Sequence, residues 1–206
     1  MTDGHDSPDV PPSEAEVGGV RPKDVLHFWF GELEPEDHFN GGERVDATVR
    51  ERFGDLVEGL QAAGYPHIWE SKPDTALALL IALDQFPRNM HRGSGAAYLL
   101  DNIALDVAMR AIGRGFQEGM EPLEAKYILM PLMHAEDMAV QDKAIPLFAE
   151  HTDPDTLAHA KAHREAIRRF GRFPARNAAL GRQSTDAEIA YLEGGYARDL
   201  EAARSA

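Results

Sequence analysis

The chain has 206 residues, 43% of them hydrophobic, and carries a formal charge of −14 with no cysteine. That is ample for a sizeable core, excludes disulfides, thiolate nucleophiles and Cys-based metal centres, and fits a reducing cytoplasmic compartment. Asp3, Asp6, Asp9, Glu14 and Glu16 fall in the first twenty residues with no Lys or Arg, and removing them from −14 still leaves −9, so a phosphate backbone would be repelled and nucleic acid is not an expected partner.

Residues 1–21 are acidic and rich in Pro, Ser and Gly, and they read as a disordered leader because they hold little to bury. They lack the basic-then-apolar order of a signal peptide, and no run of about twenty apolar residues follows, so no membrane partner is expected. Residues 22–206 read as one all-α domain. Pro22 and Asp24 suit the first turn of a short helix through Val25, Leu26, Phe28, Trp29 and Phe30, with Gly31 as its stop. Val45, Val49, Phe53, Leu56, Val57 and Leu60 recur at steps of three and four up to Gly64, the stripe of an amphipathic helix. The segment Tyr65-Pro66-His67-Ile68-Trp69 is too aromatic for a linker, and Trp69 is expected over the core. Asp74 can cap Thr75 to Phe86, and Ala76 to Leu83 is apolar on all sides, which predicts a central, buried helix.

Ser94 can open a helix through Ala97, Leu100, Ala104, Val107, Ala108 and Ala111, ending near Gly113–Gly115. Pro122 starts another, which Pro131 is expected to break or kink. Asp153 and Pro154 form a cap with proline at the first helical position, leading to Phe170 and Gly171, and Thr185-Asp186-Ala187-Glu188 reads as a capping box. No period marks a solenoid, but one phrase recurs: Asp84-Gln85-Phe86-Pro87-Arg88-Asn89 and Gly171-Arg172-Phe173-Pro174-Ala175-Arg176-Asn177. In each, Phe-Pro should halt a helix, and the Arg and Asn that follow suit either an anion site or a tied corner.

His134, Asp137 and Gln141 are spaced three then four, and Glu136 sits among them. On one helical face, a carboxylate beside an imidazole would steer its proton affinity, the requirement for general acid–base work; a self-satisfied pair between helices is the structural alternative. His163 shares a stripe with Ile167 and Phe170, one turn beyond His159. That His pair lacks the further ligands of known metal motifs, so no metal is expected. Gly-x-Gly-x-x-Gly, Walker and Gly-x-Ser-x-Gly patterns are absent, and no cofactor is expected.

Asp24-Val25-Leu26-His27-Phe28-Trp29-Phe30-Gly31, Leu83 to Asn89 with Arg92-Gly93, Pro131-Leu132-Met133-His134-Ala135-Glu136-Asp137 with Gln141, and His163 with Arg169 to Pro174 resemble, in order and spacing, a bacterial family known as domain of unknown function 924. The likeness continues through Arg176-Asn177, Leu180-Gly181-Arg182 and Ser184-Thr185 and spans about residues 22 to 193. The resemblance implies antiparallel helix pairs in a tetratricopeptide-like array forming one compact domain, and brings no established activity. Where the family's phrase reads Phe-Pro-His-Arg-Asn this chain has Ala175, and its commoner His-Ser-Glu-Asp is here His134-Ala135-Glu136-Asp137.

Architecture alone has no use for Asp84, Arg88, Arg92, His134, Glu136, Asp137, His163, Arg172, Arg176 and Arg182 inside those phrases, and burying such charges is costly unless they pair with each other or with a ligand. One expectation is a small-molecule enzyme or binder: Asp84, Arg88, Asn89, Arg92, Arg172, Arg176, Asn177 and Arg182 line a pocket for a small anionic molecule, Arg88 and Arg176 converge with His134, and His134 and His163 move protons with Asp137 or Glu136 orienting. The alternative is a non-catalytic helical module gripping a peptide or its C-terminal carboxylate. An internal lattice of ion pairs is the structural counterpart of both.

Overall fold

Caps and apolar stripes set the helices. The computed structural model describes residue 11 and residues 14–205, with the backbone alone at Phe39 and Asn40. Among the described residues no strand forms, apart from one isolated bridge between Val17 and Val20. The fold is all-α. Among the described residues no helix is long and apolar enough to cross a membrane. The chain gathers into two compact units where a single domain over 22–206 is expected from the sequence: the first takes residues up to Arg92 with Ala97–Leu100, and the second takes Gly93–Ala96 and everything from Asp101. Their boundary runs through Gly93-Ser94-Gly95, expected as a helix start; Ser94 Oγ instead accepts from the Ala96 amide at 3.3 Å, beside a short 3₁₀ turn over Gly95–Tyr98.

The first unit contains α1 (Pro22–Leu26), α2 (Asp37–Asn40), α3 (Gly42–Ala63), α4 (Pro73–Leu80) and α5 (Phe86–Met90). Helix α4 starts one residue before the expected cap, because Pro73 suits the first helical position and leaves Lys72 at the N-cap. Every residue from Thr75 to Phe86 is buried, as the continuous apolar run requires. Pro87 does not stop this helix. A widened π turn over Ile81–Gln85 leads directly into α5, with Pro87 in its first turn. In regular α geometry the proline ring would meet the carbonyl four residues back, and the wider turn relieves that clash. Phe86 stacks on Phe53 with ring centroids 4.6 Å apart, and Phe28 closes the cluster at 5.1 Å from Phe53.

Most of the acidic leader lies outside the described residues, but its end packs on this unit. Buried Trp69 donates its indole N–H to the Ala15 carbonyl at 3.0 Å. Gly18, at φ +56, approaches the Asp55 backbone so closely that a Cβ would lie 2.7 Å from it. Val20 is buried and the Val17 side chain lies beside Gly59, but two valines among acidic and small residues are too few for composition to signal packing, and the other contacts use backbone groups of Ala15 and Gly18.

The second unit contains α6 (Asp101–Gly113), α7 (Pro122–Met133), α8 (Met138–His151), α9 (Pro154–Phe170), α10 (Asp186–Leu192) and α11 (Gly195–Arg204). Helices α6, α7, α8 and α9 pack in sequence, α7 also meets α9, and α11 lies on α9. Buried Ala158, Ala160, Ala162 and Ala166 allow that close approach. Helix α7 runs through Pro131 to Met133, although the sequence predicts a break there, and Tyr127 to Met133 are all buried. Packing on both sides holds the helix across the lost backbone bond. Asp153 Oδ1 caps α9 by accepting from the Asp155 and Thr156 amides, and Thr185 with Glu188 forms the expected capping box.

Truncation checks the leader's contacts. Removing residues 1–20 should lower Tm by about 2–12 °C relative to removing 1–13, since losing the bond to the Trp69 N–H costs about 1–3 kcal/mol and each kcal/mol is worth about 2–4 °C at this chain length. Equal melting temperatures for the two proteins would contradict it.

Candidate functional site

The two copies of the recurring phrase fall in different units, and each is tied within its own. In the first unit the π turn holds Asp84 and Gln85 buried. The Asp84 carboxylate accepts from Gln85 Nε2 and lies 3.2 Å from Arg88 Nη1, which also donates to the Asp84 carbonyl. Asn89 Nδ2 donates to Asp46 Oδ1 at 2.8 Å, and Arg92 grips the same carboxylate with Nε at 2.8 Å and Nη2 at 2.7 Å. The Arg92 fork, helped by Asn89 and opposed by burial, holds the Asp46 carboxyl below its usual range. Asp84 to Arg92 therefore forms a corner that ties α5 to α3.

In the second unit the corner between α7 and α8 carries the polar residues. His134 to Asp137 lie between the helices, not on one helical face as their spacing suggests. His134 is the C-cap of α7, and Asp137 is the N-cap of α8, its Oδ1 accepting from the Ala139 and Val140 amides at 2.7 and 3.1 Å. Capping satisfies orphan amides that any helix start leaves, and this need takes Asp137 away from His134. Buried Gln141 reaches back to close the corner, its Nε2 donating to the Met133 and Ala135 carbonyls at 2.8 and 2.9 Å.

The loop after α9 is fastened to this corner by Glu136. Its carboxylate accepts the Phe173 amide at 2.7 Å and both arms of Arg182 at 2.6 and 2.9 Å. Burial works against its ionisation, but Arg182, the Phe173 amide and Arg176 together hold it below the ordinary range. Arg172 makes a second fork to Glu188 at 2.6 and 2.9 Å and also donates to the Gln183 carbonyl. Buried Asn177 donates to Ser184 Oγ at 3.0 Å. Arg176 stands 4.7 Å over the Phe173 ring and donates to the His134 carbonyl at 3.0 Å and to Asp101 Oδ2 at 3.1 Å.

These ties bring His134 and His163 together, with ring centroids 6.2 Å apart, and Phe173 packs in a T-shaped arrangement on His163 with centroids 5.4 Å apart. His163 Nδ1 lies 2.8 Å from the His159 carbonyl and 3.3 Å from the Tyr196 hydroxyl, which is itself 2.8 Å from His159 Nδ1. A nitrogen facing a carbonyl must carry the proton, so His163 is the Nδ1–H tautomer and its Nε2 holds the lone pair. Burial, then the neighbouring His134, pushes its pKa down to about 3 despite the bond to the carbonyl, so it is neutral at pH 7. The sequence points to His134, His163 and Arg176 but not to Asp101 or Tyr196. Asp46 left a signal: it stands three residues before Val49 and seven before Phe53, on an apolar stripe where a carboxylate needs a partner.

The chain is thus an all-α protein whose recurring phrases build charge-paired corners, the one in the second unit beside two histidines. The family described as "Bacterial protein of unknown function (DUF924)" matches residues 25–195, and the chain belongs to it. A solved structure of a protein of unknown function from Agrobacterium tumefaciens is 35% identical, with a TM-score of 0.78 over 84% of this chain and 96% of that one. No curated protein matches.

The carboxylate ties set the response to acid. Asp46 and Glu136 have folded pKa values below the unfolded ones of about 4, so their stabilisation is present above pH 4–5 and lost as pH falls through the folded values. Wild-type Tm should hold from about pH 7 to 5 and then decline. Glu136→Gln should be less stable at pH 7 by about 1–3 kcal/mol, having exchanged charged for neutral hydrogen bonds, and should lose less on acidification. Thermal unfolding from pH 7 to 2 measures both, and parallel profiles for the two proteins would contradict the assignment.

Proposed function

We propose that the protein binds a small anionic molecule in its second unit and moves a proton on it, with the His134–His163 pair as the acid–base centre and Arg176 holding the anionic group. The juxtaposition of the two imidazoles, 6.2 Å apart and beside an arginine bonded to the His134 backbone, carries this reading. Two imidazoles so close resist both being charged, and an anion placed against them would favour their protonation, so binding would draw a proton into the pair. Arg172 and Arg182 act in support, bracing the corner through Glu188 and Glu136 farther from the imidazole pair, while Arg176, itself paired with Asp101, lies against His134 and Asp137 positions His134 through the corner it caps. The location proposed is the cytoplasm, and the negative charge of −14 favours small ligands over nucleic acid. The tetratricopeptide-like arrangement belongs to the same proposal, supported by the succession of α6, α7, α8 and α9 with α7 also meeting α9.

A thermal-shift screen of small carboxylates and phosphates tests it. A ligand at a hundred times its Kd should add about 2.7 kcal/mol, and Arg176→Met should remove the response while the protein still unfolds cooperatively. Stabilisation by a peptide C-terminus but by no small anion would replace this reading with the interaction module. An Arg176→Met protein destabilised by about 3–5 kcal/mol would identify Arg176 as a structural partner of Asp101 instead.

A further inference from the structure

We propose that Tyr196 and His159 complete a proton wire that connects His163 to solvent. The inference rests on the reading of His163 as a proton-transfer group. Helices α9 and α11 supply every member: His159 and His163 lie one turn apart on α9, and α11 lays Tyr196 across both. Both Nδ1 atoms face the phenol oxygen, at 2.8 Å for His159 and 3.3 Å for His163.

The donors follow from the contacts. His163 Nδ1 must carry a proton, since it faces the His159 carbonyl at 2.8 Å, so toward Tyr196 it can only donate. The phenol oxygen accepts there, and its own proton points to His159 Nδ1, which must then be bare. His159 is left with its proton on Nε2, 3.7 Å from Asp155 Oδ2. The histidine side chain is 37% exposed and the aspartate 57%, so the chain of donors runs from a half-buried imidazole to water. Burial, with Arg204 and Lys126 adding to it and Asp155 opposing, lowers the His159 pKa, which keeps that lone pair available at pH 7. Burial raises the Tyr196 hydroxyl to about 12, so the phenol passes a proton without resting as phenolate.

The step balances. A proton taken up at His163 Nε2 is matched by release of the Nδ1 proton to Tyr196 Oη as the phenol proton passes to His159 Nδ1, and the Nε2 proton of His159 leaves to water beside Asp155. One proton enters, one leaves, and no group keeps a charge; the bare His163 Nδ1 then faces the His159 carbonyl unfavourably, so this tautomer is a short-lived one and the Nδ1–H form is the resting state. The reverse sequence delivers a proton to the His134–His163 pair and restores the starting tautomers.

Long-range ¹H–¹⁵N spectra of the full-length protein labelled at histidine nitrogen test this without a ligand. At pH 7, His163 should be the Nδ1–H tautomer and His159 the Nε2–H tautomer. A protonated His159 Nδ1, in the neutral or charged ring, would overturn the wire, since both imidazoles would then donate to the phenol. In Tyr196→Phe, His159 should become a mixture of tautomers, and the His163 Nδ1 proton should exchange with water about tenfold more slowly through loss of one hydrogen-bonded link. Unchanged exchange in a folded variant would also overturn it, and if the variant does not fold the wild-type tautomers decide. The ligand screen and the tautomers fail independently, so loss of the anion reading leaves this test intact.

Discussion

The carboxylate of Glu136 is the tie on which the second unit's polar arrangement depends. Its position between α7 and α8 is fixed by two neighbours with other tasks: His134 ends one helix and Asp137 begins the next. From there it accepts the Phe173 amide and the Arg182 fork, drawing the loop after α9 onto the corner. Once Phe173 is held, its ring edge limits the space beside His163 and its face supports Arg176, whose guanidinium then reaches the His134 carbonyl. Two histidines distant in sequence are placed by one carboxylate that touches neither. A charge-assisted bidentate pair suits this task because its geometry is stiff as well as favourable.

The same economy explains the three arginines of the segment after α9, two in the second phrase and Arg182 beyond it. A loop that leaves α9 at Gly171, in the left-handed conformation at φ +66, closes its own short turns with backbone bonds but needs further ties to fix it on its neighbours. Arg172, Arg176 and Arg182 supply them by reaching Gln183, His134 and Phe173 carbonyls while pairing Glu188, Asp101 and Glu136. Partly buried charges become tolerable when each has a partner and further hydrogen bonds. The first phrase solves the same problem with Asp46 and Asp84.

Helices were legible where caps and periodicity agreed, as with Asp153-Pro154, Thr185 to Glu188 and the stripe of α3. Proline misled at Pro87 and Pro131 for one reason: a helix packed on every side continues across a missing donor, either by widening to a π turn or by bearing the loss, and local propensity cannot register that packing. The end of the leader was hidden because its contacts combine backbone atoms of Ala15 and Gly18 with only two apolar side chains, Val17 and Val20. In the polar corner the residue types were legible but their partners were not, since Asp101 and Glu188 look like ordinary helix-start acids until the chain folds. Spacing put His134 with Asp137 because it assumes a continuous helix, and the helix ends at Met133.

Tyr196 shows what a sequence withholds even when every neighbour is visible. It lies in the first turn of α11, just after the left-handed Gly194, where no motif in the sequence marks it. Its hydroxyl acquires meaning from the one-turn spacing of His159 and His163, which presents two imidazole edges on one side of α9, and from the packing of α11 across them. A phenol is suited to that place because it accepts from one ring while donating to the other, which neither a carboxylate nor an ammonium does at neutral pH. The carbonyl of His159 completes the arrangement by fixing the tautomer of His163, so backbone and side chain of the same residue act on opposite ends of one hydrogen-bonded path.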